Sequence, residues 1–519
     1  VPVTFGTPSN LTFNAGTSQI TLSGAGASLV GGGRTFYNVA FSNTSTTTRS
    51  IFDGGNTFNN LSINLGAGLS LFIFGGAQII NGTLTCVGTS IGTRCGLFSD
   101  LVGTARTIIA NAISADYCDF RDITLSGAAA GATPAYAGDC GNNTGINFPS
   151  PKTVYRVGSG TVWGFGAADW ALTPGGTPSA LNFPLAQDTA IVDNNCTPSG
   201  TLSFGFYSMG RIDFSNRTNA IAISMNACTI YASFFLSSSV TVSGAAAVTF
   251  SGRGTQTFRP NGASTTFPIA VDKPLGTFQL GSALLSSNSL TLTQGTIDAK
   301  NYNVTCSSFA SSVSDTRTLL MGSGLWALSG VGSIWNVSST GLTLNKGTAD
   351  ILLSYTGTAA RAFTGGAQSY NKLTVGGSTG TSTVTISGAN TFTELASTKT
   401  VAHTISLSSD QTVGTWSITG TSGNTVTVVS TFAGTRRTIS LANQTSGIDY
   451  LSVKDIEIPT TNKFYVGANS VDGGNNLNVY FTAAPAGSSQ VYYGNINVTA
   501  AYYGSAPVSA MYYGAVQVF

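Results

Sequence analysis

Along this chain, apolar and polar positions alternate in short runs, and apolar residues seldom recur at helical spacing. Runs such as TSTVTISGA and GNTVTVVSTF carry a β-branched residue at every second position and are bounded by Gly, Asn or Ser. That is the pattern of half-buried strands. A longer period overlies the alternation. Val39, Leu61 and Leu84 occupy similar strand contexts with spacings of 22 and 23, and Leu373, Leu395 and Ile418 repeat those spacings.

The chain also contains itself twice. LTFNAGTSQITLSGAG from Leu11 returns as LTLNKGTADILLSYTG from Leu342, and NTFNNL at Asn56 returns as NTFTEL at Asn390. DYCDFRDI from Asp116 returns as DYLSVKDI from Asp449, and GNNTGINF ending at Phe148 returns as GNNLNVYF ending at Phe481. The offsets stay between 331 and 334 residues, which is a duplication rather than shared composition.

A coil of about 22 residues repeated in this way predicts an all-β fold, a parallel β-helix in which each rung pairs its backbone with the rungs above and below. Inward Leu, Ile, Val and Phe would stack as ladders, while Gly and Asn serve the tight corners and Asn side chains bond from rung to rung. The expected organisation is a β-helix over 1–150, a tryptophan-bearing cap or joint over 151–195, a second β-helix over 196–484, and a tail over 485–519. In the tail, Tyr492-Tyr493-Gly494, Tyr502-Tyr503-Gly504 and Tyr512-Tyr513-Gly514 recur every ten residues, predicting three short strands with adjacent tyrosines on opposite faces. Exposed ends of a β-helix invite edge pairing, so caps or neighbouring domains are expected.

Composition narrows the function. Only 8% of the 519 residues are charged and the net charge is +2, without basic runs, which argues against nucleic acid as a partner. The best apolar stretch, Leu69 to Ile80, is too short to span a membrane as a helix, so no membrane insertion is expected. A surface rich in Ser, Thr and Asn suits an extracellular or virion protein. The chain opens at Val1 rather than Met, so an attachment segment before it is an open expectation. The seven cysteines lack CxxC spacing, and Cys118 and Cys140 align with Leu451 and Gly473 in the second copy. They read as small buried hydrophobes rather than a disulfide framework, with no metal and no cofactor expected.

Candidate chemistry is sparse. His403 lies in an alternating strand without an acid or Cys cluster beside it in sequence, so a structural role is expected. Asp116, Asp119 and Asp122 could supply the paired carboxylates of a glycoside hydrolase. Yet Asp116, Asp122 and Asp139 return as Asp449, Asp455 and Asp472, which favours corner hydrogen bonding over a single active site. Asp119, aligned with Ser452, is left without an explanation. Asp169, Asp188 and Asp193 accompany Trp163 and Trp170, where aromatics beside acids either line a sugar groove or fill a cap core. Glycan or receptor contacts are therefore assigned to Trp163, Trp170, Tyr492, Tyr502 and Tyr512, and no residue is assigned to catalysis.

The repeat vocabulary TFNNL, TFYNV, RTLLMGSGLWALSG and STKTVAHTISL, with the YYG tail, resembles that of bacteriophage tail fibre and tailspike structural proteins. The joint GDCGNNTGINFPSPKTVYRVGSGTVW is also similar to a YWVGGSGNW-type segment of large secreted bacterial adhesins, although it reads YRVGSGTVW here. The resemblance implies a non-enzymatic virion appendage. It would be a homotrimer that contacts other phage tail proteins and binds a host surface glycan or protein. A secreted adhesin or filament subunit, and a tailspike depolymerase, are the alternatives.

Overall fold

The computed structural model describes residues 2–5, 11–42, 48–51, 53–64, 70–163, 169–205, 208–338, 340–377, 380–460 and 462–485, with six short strands between 491 and 517. The protein is a nearly all-β, parallel β-solenoid with rungs of about 22 residues, as the periodicity predicts. It divides into two compact units, Val1–Tyr355 with Thr364–Asn371, and Thr356–Phe363 with Lys372–Phe519.

The first unit opens with a solenoid whose successive strands alternate between two sheets, seven strands in one and six in the other. Each rung therefore gives one strand to each sheet. Ile20, Val39, Leu61, Leu84 and Ile113 fall opposite one another in consecutive rungs, a single ladder on one sheet. Phe36 stacks on Phe58 with ring centroids 5.5 Å apart. Burying a side chain of this size contributes about 2 kcal/mol, so the ladder is the main favourable term in each rung. The predicted Asn corners form as well, with Asn60 Nδ2 donating to Asn38 Oδ1 (3.1 Å) and Asn60 Oδ1 accepting from the Thr83 amide (2.9 Å).

The segment predicted as a joint is also the start of the next solenoid. Thr153–Arg156 pairs in parallel with Thr189–Ile191, which pairs in turn with Arg211–Asp213, while Trp170–Ala171 adds an antiparallel strand at the start. Further along, Thr277, Thr296, Thr318 and Thr343 make an outward file in register, backed by inward Phe278, Ile297 and Leu319. The two solenoids of this unit lie side by side. Arg253 Nη2 of the second contacts both carboxylate oxygens of Asp122 of the first at 2.5 and 2.6 Å, and Gln187 bonds the backbone of Asp139 and Ala137. Gly103 (φ +88°) faces Pro274 so closely that a Cβ would sit 2.3 Å from Pro274 Cγ.

In the second unit the same alternation returns. Thr383–Ser387, His403–Leu407, Val426–Ser430, Leu451–Lys454 and Val471–Asp472 stack on one side, and Thr391–Ser397, Gln411–Ser417, Arg437–Gln444 and Ile456–Glu457 on the other. One expectation is corrected here: Leu395 falls opposite Trp416, not Ile418. The first copy has a bulge, because its register moves from Phe58/Ile80 to Leu61/Leu84, whereas the second runs unbroken from Phe392/Val413 to Leu395/Trp416. With that residue removed, Ile418 is the counterpart of Cys86. The tail is corrected too. Each ten-residue repeat forms two antiparallel strands, such as Val491–Tyr493 with Ile496–Val498, so the tail holds hairpins rather than single strands.

Corners carry backbone carbonyls that no ladder satisfies, and buried cations collect them. Arg156 donates to the carbonyls of Gly160, Val162 and Trp163 at 2.9 to 3.0 Å. Arg317, fully buried, bonds the carbonyls of Asp315 (2.7 Å), Thr340 (3.1 Å), Ser311 and Ser338 (both 3.2 Å). Lys273 is equally buried and donates to the Gly252 carbonyl and to Gln256 Oε1 (2.7 Å). Burial, helped by the charge of Arg253, pulls its pKa down to about 7.

Replacing Arg317 by Leu strands several buried acceptors, and unfolding in urea should show a loss of about 3 kcal/mol or more. Lys273 predicts a pH signature. Below about pH 7 the folded and unfolded chains both hold its proton, and the penalty for burying the charge is fully present. Between there and the ordinary lysine value the unfolded chain binds more protons, so stability rises with pH. Urea midpoints from pH 7 to 10 should rise more for the wild type than for Lys273→Met; parallel profiles would contradict this.

Candidate functional site

The carboxylates repeat with their partners. Asp122 accepts from the Gly103 amide (2.9 Å) and Asn142 Nδ2 (2.8 Å), and Asp455 accepts from the Gly434 amide (3.2 Å) and Asn475 Nδ2 (2.6 Å). Both aspartates take positive φ, +57° in each case. Asp139 binds the Gly141 amide and Asn143, and Asp472 binds the Gly474 amide and Asn476 in the same way. Asp116 caps the Ala135 amide at 2.7 Å. These acids close corners, and side chains fixed by backbone donors are poorly placed to exchange protons with a substrate.

Asp119 is explained by a residue far from it in sequence. Its carboxylate takes Arg94 Nη2 at 2.6 Å and Nε at 2.9 Å, with Asp119 1% and Arg94 2% exposed. Gly138 lies opposite, where a Cβ would fall 2.0 Å from Asp119 Oδ1. In the second copy Arg94, Asp119 and Gly138 correspond to Thr425, Ser452 and Val471. Val426, Ser452 and Val471 occupy the rungs that Cys95, Asp119 and Gly138 occupy in the first. An ion pair and the glycine it needs beside it have been exchanged together for two hydroxyl residues and a solvent-exposed valine.

The two copies also differ on one outer face. In the first, Leu71, Ile73 and Phe98 pack with Cys140, Ala186 and Tyr231 against the neighbouring solenoid of the same unit. In the second, Thr404, Ser406 and Val429 stand at those positions, and Thr383, Thr404, Thr427 and Ser452 form a hydroxyl file in register. Beside it lies a recess of about 320 Å³ lined by Thr358, Thr381, Ser382, His403, Thr404 and Thr425 among others. Ser382 Oγ is held from beneath by Arg361 Nη2 (3.2 Å) and Lys399 Nζ (3.5 Å). Among the described residues, no carboxylate lines the recess.

His403 is only 4% exposed and is committed within the protein. Its Nδ1–H donates to the Val401 carbonyl (2.8 Å), which leaves Nε2 to accept from Ser397 Oγ (2.8 Å). Burial, with the charges of Lys399 and Arg361, keeps its pKa below the ordinary histidine value, so it stays neutral near pH 7. Its role is to orient the recess wall.

The residues assigned to glycan contact from sequence are placed elsewhere. Trp163 and Trp170 are buried, packing edge to face at 4.9 Å, with Trp163 stacked on Phe204. Asp169 pairs with Arg156 and Asp188 with Lys152, so the tryptophan segment is a capped core and presents neither indole to solvent. Tyr492, Tyr502 and Tyr512 lie in strands of the tail, and their side chains fall outside the described residues. The sequence signal for the recess was Thr404 at the position where the first copy has Leu71. All seven cysteines are buried and none forms a disulfide.

The fold defines a parallel β-solenoid repeat protein. No protein-family model, curated protein or solved structure matches the chain.

Serine at position 119 alone should strand Arg94 and destabilise the protein by about 3 kcal/mol. The combined Arg94→Thr, Asp119→Ser, Gly138→Val variant carries the second copy's solution and should recover most of that loss. Thermal and urea unfolding of the three proteins measures the difference.

Proposed function

We propose that this chain is a structural part of a phage virion appendage, a tail fibre or tailspike, that binds a host surface glycan without cleaving it. The observation that carries this reading is the hydroxyl-lined recess beside the Thr383–Thr404–Thr427–Ser452 file. It offers donors, acceptors and methyl groups, the complement of a sugar's hydroxyls and C–H faces, on a wall fixed by ladder pairing. Among the described residues its lining holds no carboxylate, whereas glycoside hydrolysis needs an acid pair. Such a site is weak singly, and its repetition across the chains of a homotrimer would multiply it by avidity. Other tail proteins would anchor the assembly, outside the cell.

An array of bacterial surface polysaccharides should show saturable binding. Thr404→Leu with Ser406→Ile, the residues at Leu71 and Ile73 of the first copy, should fold normally and lose at least tenfold in affinity. Equal binding by the variant, or none by the wild type, would overturn the assignment. Release of oligosaccharide would overturn its non-enzymatic part, and a monomer by light scattering would remove the trimer.

A further inference from the structure

Three cysteines from three strands converge at one point of the first solenoid. Cys86 comes from Gln78–Val87 on one sheet, while Cys95 and Cys118 come from adjacent strands of the other and are register partners. Their sulfur atoms lie within 4.8 Å of one another, and all three residues are fully buried. The duplication again supplies the comparison. The corresponding residues are Ile418, Val426 and Leu451, all buried in the core of the second unit. That position needs only aliphatic packing to fold. Three thiols fill less space than those three side chains, so the exchange releases room in the core where sulfur atoms face one another.

We propose that Cys86, Cys95 and Cys118 form a three-sulfur site for a soft metal ion, with Cu(I) the best match. Thiolates select Cu(I), zinc and iron–sulfur clusters over harder ions. A structural zinc completes a tetrahedron with a fourth ligand, and among the described residues no further His, Cys, Asp or Glu joins this cluster. Cu(I) is satisfied by three sulfurs. Binding would release the thiol protons, and an ion at so buried a place would enter as the chain folds.

The test is refolding of the reduced full-length chain, without oxygen, in the presence of Cu(I), followed by desalting. The wild type should retain one Cu(I) per chain with a near-ultraviolet sulfur-to-copper charge-transfer band. Cys86→Ile with Cys95→Val and Cys118→Leu should fold, by circular dichroism, and retain none, while Cys306→Ala at a separate buried cysteine should retain one. No copper in the wild type, or equal copper in the triple variant, would overturn the proposal. Should the triple variant fail to fold, Cys86→Ile alone decides: at least tenfold weaker retention is expected, and unchanged retention would sink the site.

Discussion

A parallel solenoid turns every corner inside its own wall, and the peptide groups at those corners have no ladder partner. That constraint organises the rest of the protein. Strands satisfy one another rung to rung, so side chains must satisfy the corners. The buried amide pairs Asn56–Gln78 and Asn390–Gln411 do this in both copies, with Asn Nδ2 to Gln Oε1 at 3.1 Å each time. Arg156 and Arg317 do it for the wider loops, and the corner aspartates do it for exposed amides. In a chain with so few charges, most of the buried ones are engaged in this work. An unmade bond at such a place costs about 1 to 3 kcal/mol, so a rung tolerates few of them.

With the corners closed alike in both copies, the outward and inward positions are free to diverge, and they diverge in groups. The Arg94–Asp119–Gly138 set changes as one, because each member is shaped by the other two. The outer face changes from Leu71 and Ile73, which dock on a neighbouring solenoid, to Thr404, which lines a recess, and Ser406. The cysteine trio changes as one where aliphatic packing would have served. Shared features of the two copies are thus those the fold requires. The grouped differences are the places where a particular task has been added.

Periodicity made the solenoid legible because ladder pairing demands the same side-chain parity at each rung, and the 22-residue spacing of Val39 and Leu61 reports it directly. The structural use of Asp122 and Asp139 was legible from their recurrence. Position within a rung was not: a bulge beside Asn81 moves the pairing by one residue, and parity alone carries no mark of it. Trp163 and Trp170 were ambiguous because an indole fills a cap core as readily as it stacks on a sugar. The Asp119 pair and the thiol cluster were invisible for a different reason. Arg94 and Asp119 are 25 residues apart, one rung in space, and only the register brings them together.

Register is therefore the claim to measure. Thr257, Gln279, Asp298, Leu320 and Asn345 are successive partners, so Thr257 and Asn345 stand four strand spacings apart, about 19 Å. Spin labels at these two positions should give a narrow pulsed-EPR distance distribution near that value. A broad distribution, or a separation well beyond it, would contradict in-register stacking and the structure built on it.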